Sequence, residues 1–423
     1  MLRRPSPWSL LAVSLFALGC RGAAQSSYTD DDAAAQAPDV VLEDAGGADA
    51  TSPETDAAVG IDASAMDAPA PTDVPAPTDV PADRGRADVA RDTGPTCVCP
   101  TLPSTCMAPA VDTPAFSPER ALLDQLVGVV SCAETSLHIA LYETLWDCLP
   151  NLLRARLEAA PGLQVQIVVD NADCPAGDGG TACPIRLLEG HPRVTLVADD
   201  RSALMHHKFI VADGSRLWVG SANSSQRSYC EDSNDAIVVS EAPVVAAYEA
   251  EFQRMFTDRA FGPTAPTAPV TSGIYAAYFS PRSPTTGPSR WFTDMIAAIE
   301  ASRTSVDFII ASWTRAEVSD AMLAARARGV RVRGIVAPNY INDAPAMALR
   351  AAGVPVRLGE VHSKLLLVDD EVVVTGSANW SASAWANNEN SLWIRDANVG
   401  STYATFFTRE FERASIPVAD RDR

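Results

Sequence analysis

One spacing, H-x-K-x4-D followed by a G-S-A-N turn, occurs twice in this chain and limits its folding more than any other feature. The first copy holds His206, Lys208 and Asp213, then Gly220-Ser221-Ala222-Asn223; the second holds His362, Lys364 and Asp369, then Gly376-Ser377-Ala378-Asn379. A string this specific does not arise twice by accident, so the chain reads as two similar units. Composition sharpens the point: of 33 Lys plus Arg only Lys208 and Lys364 are Lys, and both stand at the same place in the repeat.

The surrounding pattern repeats as well. Phe116-Ser117-Pro118 and Phe279-Ser280-Pro281 open the two units, with Ser117 suited to cap a helix and Pro118 to enter its first turn. In the first unit the spacing predicts a helix to about Cys132, a strand over 136–142, a helix over 149–159 and a strand near 163–170. A short helix over 184–189 then precedes strands at 193–197, 204–212, 217–220 and 236–239, and a helix over 242–255. In the second unit helices are predicted over 290–301, 317–328 and 344–352, with strands near 305–311, 330–337, 354–357, 361–368, 372–375 and 391–394. Alternating strands and helices imply α/β architecture with mixed sheets. The units span 107–258 and 275–415, joined by a Pro/Thr/Gly-rich linker within 259–274.

On a strand, His206 and Lys208 leave the same face, as do His362 and Lys364. Each G-S-x-N turn adds small residues that allow close backbone approach, and an amide donor at Asn223 or Asn379. Units packed with pseudo-twofold symmetry would gather two His, two Lys and two Asn in one pocket at their interface. Such a pocket suits a phosphodiester: Lys and Asn hold its oxygens, one neutral imidazole attacks phosphorus, and the other, protonated, serves the leaving alkoxide. Two opposite tasks for one residue type account for the duplication.

With these motifs, both halves resemble the phospholipase D superfamily over roughly residues 114 to 415. The stretch HSKLLLVDDEVVVTGSANWSASAWANNEN is most similar to its bacterial nuclease and cardiolipin-hydrolase branch. The resemblance implies His206 as nucleophile through a phosphohistidine and His362 as general acid, although the residues themselves do not say which is which. It also implies an acidic residue behind each Asn to orient an imidazole. Glu389 matches that position in the second half; in the first half Asp235 matches only with a small insertion. Asp213 and Asp369 read as supports of strand ends, and Ser221, Ser377 and Trp380 as substrate contacts. No cofactor is implied, and no carboxylate or His cluster in the sequence suits a catalytic metal.

Residues 1–20 have a basic start at Arg3 and Arg4 and an apolar run over 8–18, the form of an export signal. Ala17-Leu18-Gly19-Cys20 resembles a lipoprotein cleavage box, so lipidation at Cys20 stands beside cleavage after Ala24. Residues 21–95, rich in Ala, Asp, Pro and Thr with a tandem PAPTDV, cannot bury enough apolar surface to fold and read as a disordered spacer. Half of the net charge of −20 falls in residues 1–100. The domain is therefore acidic too, which disfavours a broad nucleic-acid-binding surface. Eight cysteines between Cys97 and Cys230 fit four disulfides in an exported protein, with Cys174 and Cys183 the first pair; a metal site at Cys97, Cys99 and Cys106 is the weaker reading.

His138, His191 and His207 read as structural, Trp313 and Trp385 as core, and Arg326, Arg328, Arg331 and Arg333 as surface charges. Together these features imply an extracytoplasmic, membrane-anchored or secreted phosphodiesterase with one monomeric catalytic unit, acting on a phospholipid. A nuclease acting on DNA or RNA is the second reading, and a phosphate-binding protein without turnover the third.

Overall fold

The computed structural model describes residues 97–417; the signal, spacer and Cys20 expected from the sequence lie outside them. The first half runs β1 (Pro114–Phe116), α1 (Arg120–Cys132), β2 (Ser136–Leu141), α2 (Cys148–Ala159), β3 (Gln164–Val169), a 3-10 turn (Pro184–Leu188) and β4 (Val194–Ala198). It continues through β5 (Lys208–Ala212), β6 (Arg216–Gly220), α3 (Gln226–Cys230), β7 (Asp235–Val239) and α4 (Ala242–Phe256). The second half runs β8 (Val270–Ser272), β9 (Tyr275–Ser280), α5 (Arg290–Ala301), β10 (Ser305–Ile310), α6 (Ala316–Ala327), β11 (Arg331–Val336), α7 (Ala344–Ala351) and β12 (Val356–Leu358). After it come β13 (Lys364–Val368), β14 (Val372–Gly376), α8 (Ser383–Ala386), β15 (Glu389–Arg395) and α9 (Ala397–Arg413).

Each half is a mixed sheet, ordered β1-β7-β6-β5-β2-β3-β4 in the first and β12-β11-β10-β13-β14-β15-β9-β8 in the second. Read from opposite ends, the orders coincide except for β8. That strand pairs with β9 inside the stretch expected to be a linker.

The motif strands show why both sheets are covered on two faces. Along β5, Phe209 and Val211 enter a core shared by both halves, while Ile210 and Ala212 enter a core confined to the first. Along β13, Leu365 and Leu367 enter the shared core and Leu366 and Val368 a core confined to the second. Strands buried on both faces become continuous apolar runs, as KFIVA and KLLLV are. The shared core also takes Val244, Tyr248, Phe252 and Met255 of α4 and Tyr403, Phe406, Phe407 and Phe411 of α9, so these two helices lie between the sheets. Helices α1 and α2 cover the outer face of the first sheet, and α5, α6 and α7 that of the second.

Several local expectations change. Ser117 does not cap a helix: the cap position of α1 is Glu119, and the buried Ser117 hydroxyl shares its one proton between Ser228 O and Asp232 O and accepts from Asn234 N. Arg331 and Arg333 clamp the buried Asp307 carboxylate, and Arg333 lies over Phe407 and Phe411, so this pair does more than decorate a surface. Cys97–Cys230, Cys99–Cys148, Cys106–Cys132 and Cys174–Cys183 are disulfides, which removes the metal reading of Cys97, Cys99 and Cys106. All four lie in the first half, and two of them tie the segment at Cys97 and Cys99 to α3 and α2. Such bonds indicate an oxidising, extracytoplasmic setting. Among the described residues no helix is long and apolar enough to cross a membrane.

Candidate active site

The predicted strands over 204–212 and 361–368 begin later than expected, at Lys208 and Lys364. The residues just before them turn to the other half instead. Met205 bridges Asn388 and Val361 bridges Ser233, with His206 N donating to Asn388 O and His362 N to Ser233 O, both at 3.0 Å. The two exchanges are reciprocal, as a pseudo-twofold arrangement requires. Both histidines therefore sit at the seam.

Each imidazole is oriented by a residue of the opposite half. His206 Nδ1 donates to Glu389 Oε2 at 2.8 Å, and the same carboxylate accepts from Ser377 Oγ at 2.6 Å and Asn387 Nδ2 at 3.3 Å. His362 Nδ1 stands 3.0 Å from Asn234 Oδ1 and 3.1 Å from Ser221 O. Asn234 Nδ2 donates to Ser228 O and its Oδ1 accepts from Ser221 Oγ, which fixes the amide with its oxygen toward His362. Two acceptors, Asn234 Oδ1 and Ser221 O, stand closer to His362 Nδ1 than the Lys364 ammonium at 3.3 Å, which favours the proton on this nitrogen. In each neutral ring Nε2 is then the basic nitrogen, and that of His362 faces Lys364 Nζ at 3.1 Å.

Asp235 is thus not the counterpart of Glu389. Ser221 N bonds Asp235 O where Ser377 N bonds Asn390 O, which aligns Asp235 with Asn390 and Asn234 with Glu389. The Asp235 carboxylate instead accepts from Thr375 and Tyr403, bracing the seam from behind. The sequence hides this because Asn234 is neutral where the resemblance implies an acid.

The two lysines follow their histidines closely. Lys208 Nζ donates to His206 O at 3.1 Å, and Lys364 Nζ to His362 O at 2.7 Å, with His362 Nε2 3.1 Å away. Both ammonium groups are buried beside the imidazoles. Behind them, Gly220 and Gly376 let the turn approach the next strand: a Cβ at Gly220 would lie 2.0 Å from Asp235 O, and one at Gly376, where φ is +133°, 2.4 Å from Asn390 O. Asn223 follows, its Nδ2 donating to Glu143 Oε2 at 2.8 Å; the Oδ1 atoms of Asn223 and Asn379 have no hydrogen-bond partner among the described residues.

Three expected substrate contacts lie elsewhere. Ser221 and Ser377 are fully buried, their hydroxyls holding Asn234 and Glu389. Trp380 packs edge-on against Trp313 and beside Phe308 in the core, as burial of a large ring favours.

Asp213 and Asp369 stand in left-handed backbone, φ 51° and 56°, at the strand ends. Asp213 accepts from Glu134 N, Thr135 N, Ser136 N and the Thr135 hydroxyl; Asp369 accepts from Arg303 N, Thr304 N, Ser305 N and the Thr304 hydroxyl. Partial burial pushes both carboxyls up, but these donors outweigh it and hold them below the ordinary Asp range. They fasten the turn after each motif strand to the start of its neighbour. His207 is structural too, between Asn390 and the buried Glu251.

A family model described as the cardiolipin synthase, phospholipase D-like domain matches residues 126–256 and 295–414, one segment in each half. The mitochondrial cardiolipin hydrolase of Mus musculus is 36% identical over 126 residues, covering 28% of this chain and 55% of that protein. For the Homo sapiens protein the values are 33% over 125 residues, 28% and 48%. A phospholipase D of Rickettsia bellii (strain RML369-C) is 27% identical over 128 residues, 29% of this chain and 62% of that one. The chain spans about half the length of the curated relatives it matches. Among solved structures, phosphatidylserine synthase of Haemophilus influenzae Rd KW20 superposes with a TM-score of 0.56 at 14% identity, over 73% of this chain and 87% of that one. Polyphosphate kinase of Porphyromonas gingivalis gives 0.51 at 13%, over 74% and 52%. At such identities the likeness is one of fold.

Proposed function

The chain belongs to the phospholipase D superfamily, and from that premise we propose that it is an exported phosphodiesterase that hydrolyses or transfers the phosphatidyl group of phospholipids. The observation that carries this reading is the crossed pair of imidazoles, each held through Nδ1 by the other half. His206 Nε2 attacks phosphorus, and protonated His362 gives its Nε2 proton to the departing alkoxide. His362 then takes a proton from water or an alcohol, whose oxygen attacks the phosphohistidine and frees His206. Lys208, Lys364, Asn223 and Asn379 hold the charged oxygens as the transition state forms.

The orienting groups support these roles. Phosphorylation at Nε2 leaves the His206 ring cationic, and a carboxylate behind it stabilises that charge. His362 is backed by a neutral amide, so its imidazolium releases a proton more readily. The acidic domain favours a lipid over a nucleic acid, and the disulfides and N-terminal sequence favour export with an anchor at Cys20.

The test is turnover of labelled phospholipid against plasmid DNA in EDTA, with acid- or base-quenched protein analysed for phosphohistidine. Lipid turnover with phosphate on the His206 peptide, lost in His206→Asn, is expected. Cleavage of DNA alone moves the assignment to a nuclease. Neither turnover nor label leaves only binding.

A further inference from the structure

The loop over 142–147, between β2 and α2, runs from the candidate site to the surface. Near its start Glu143 holds Asn223, and near its end Trp146 N donates to Ser224 O at 3.1 Å, so its path is fixed beside the G-S-A-N turn of the first motif. Between these two points Leu145 is 53% exposed. Trp146 is only partly buried, its ring 6.0 Å from that of Tyr229. Val98 joins them: its neighbours Cys97 and Cys99 are bonded to Cys230, next to Tyr229, and to Cys148, just beyond Trp146. It is 63% exposed. Apolar side chains from two segments thus meet water around one ring pair, on backbone that disulfides pin in place.

A single exposed leucine needs no explanation, but a cluster of large apolar groups beside a candidate site does. The fold does not require it: the matching loop of the second half, placed by Trp380 N to Ser312 O and Thr314 N to Trp380 O, presents Thr314 and Arg315 instead. Residues 97–111 carry no charged side chain in a chain that is 20% charged, so nothing on this segment opposes entry into an apolar phase. The one charge in 144–148, Asp147, stands at the cap position of α2. We infer that Val98, Leu145 and Trp146 form a docking rim that enters the interface of a lipid bilayer and sets the first motif against it. The inference rests on the phospholipid reading above and names how the site reaches its substrate. An indole suits that boundary, with an apolar ring and a polar N–H. Residues 1–96 join the described fold at Cys97, so an anchor at Cys20 would tether this same rim. Attachment through apolar contact in place of charge makes docking insensitive to salt.

The experiment mixes the full chain carrying Cys20→Ser, which no lipid can modify, with phosphatidylcholine vesicles that contain brominated lipid. Among the described residues Trp146 is the one tryptophan that is not buried. Bromine is therefore expected to quench its fluorescence, and Trp146→Phe to abolish that quenching. Val98→Ser and Leu145→Ser are each expected to weaken vesicle partitioning by roughly tenfold, at low and high salt alike, the scale of withdrawing one apolar side chain from lipid. Turnover of soluble bis(p-nitrophenyl) phosphate and the melting temperature should stay at their wild-type values. No quenching, or variants that partition as well as wild type, overturns the rim while leaving turnover of dispersed phospholipid, and with it the phospholipase reading, intact. Self-association broken by the same substitutions, without vesicle binding, overturns it in favour of a second copy of the chain. Docking without turnover of any lipid keeps the rim and removes the phospholipase reading.

Discussion

His206 and Glu389 stand 183 positions apart in the chain and 2.8 Å apart in space, whereas the matched pair of His362 and Asn234 meets at 3.0 Å through a neutral amide. One imidazole is backed by charge and the other is not. That asymmetry separates two histidines whose motifs are otherwise interchangeable.

Replacing the amide by an acid should change the pH profile. In Asn234→Asp a carboxylate would stabilise the His362 imidazolium and raise its pKa, so the alkaline limb of kcat/KM is expected to move up by about one to three pH units. An alkaline limb that stays in place would remove His362 from the role of acid.

Removing the charge behind His206 should act on rate. Glu389→Gln is expected to lower kcat by roughly 10²–10⁴-fold, the range for losing support of a group that carries charge in the transition state. Rapid-quench measurement of phosphoenzyme formation checks it, and a normal first turnover in this variant would place Glu389 outside the chemistry.

These two partners show how far the sequence carries. The motif histidines, the lysines and the α/β alternation are local patterns, legible because periodicity and spacing lie within a few residues of one another. Asn234, Glu143 and the late start of β5 and β13 depend on what faces them across the seam, which no window of sequence contains. The burial of Trp380 is hidden for the same reason: its neighbours Trp313 and Phe308 share its face of the sheet but lie far from it in the chain. Helix α9 is not among the predicted elements, although Tyr403, Phe406, Phe407 and Phe411 follow helical spacing.

The motif aspartates are expected to act on stability. Asp213→Ala or Asp369→Ala leaves a cluster of backbone donors without their carboxylate, at a cost of roughly 1–3 kcal/mol in denaturant unfolding. With the host fully folded, loss of activity should stay well below that of His206→Asn; activity loss equal to the histidine variant would place these carboxylates in the reaction.

Acid should find a different weak point. Glu251, buried between His207 and Arg254, is pushed up by burial and pulled down further by those two partners, to about 2 from an ordinary 4.5. A depressed carboxyl contributes stability that is complete above its unfolded value and fades as pH falls from 4.5 toward 2. Glu251→Gln should therefore melt several degrees lower near neutrality and converge with wild type in that acid window. A gap that persists undiminished at pH 2.5 would contradict the assignment.

Reduction should loosen one half only. Because Cys97–Cys230 and Cys99–Cys148 join the loops behind Asn223 and Glu143 to a common segment, thiol treatment is expected to speed hydrogen exchange over residues 97–116, 142–148 and 221–232. The eight-stranded sheet should keep its protection. Equal loss in both sheets would show that the two halves unfold as one.

The reciprocal bridges of Met205 with Asn388 and of Ser233 with Val361 also bear on biosynthesis. A nascent polypeptide that has emerged only as far as its first histidine motif lacks the carboxylate that orients it, since Glu389 follows 183 positions later. The seam around the two imidazoles therefore closes only once the second motif and its flanking strand have folded back on the first.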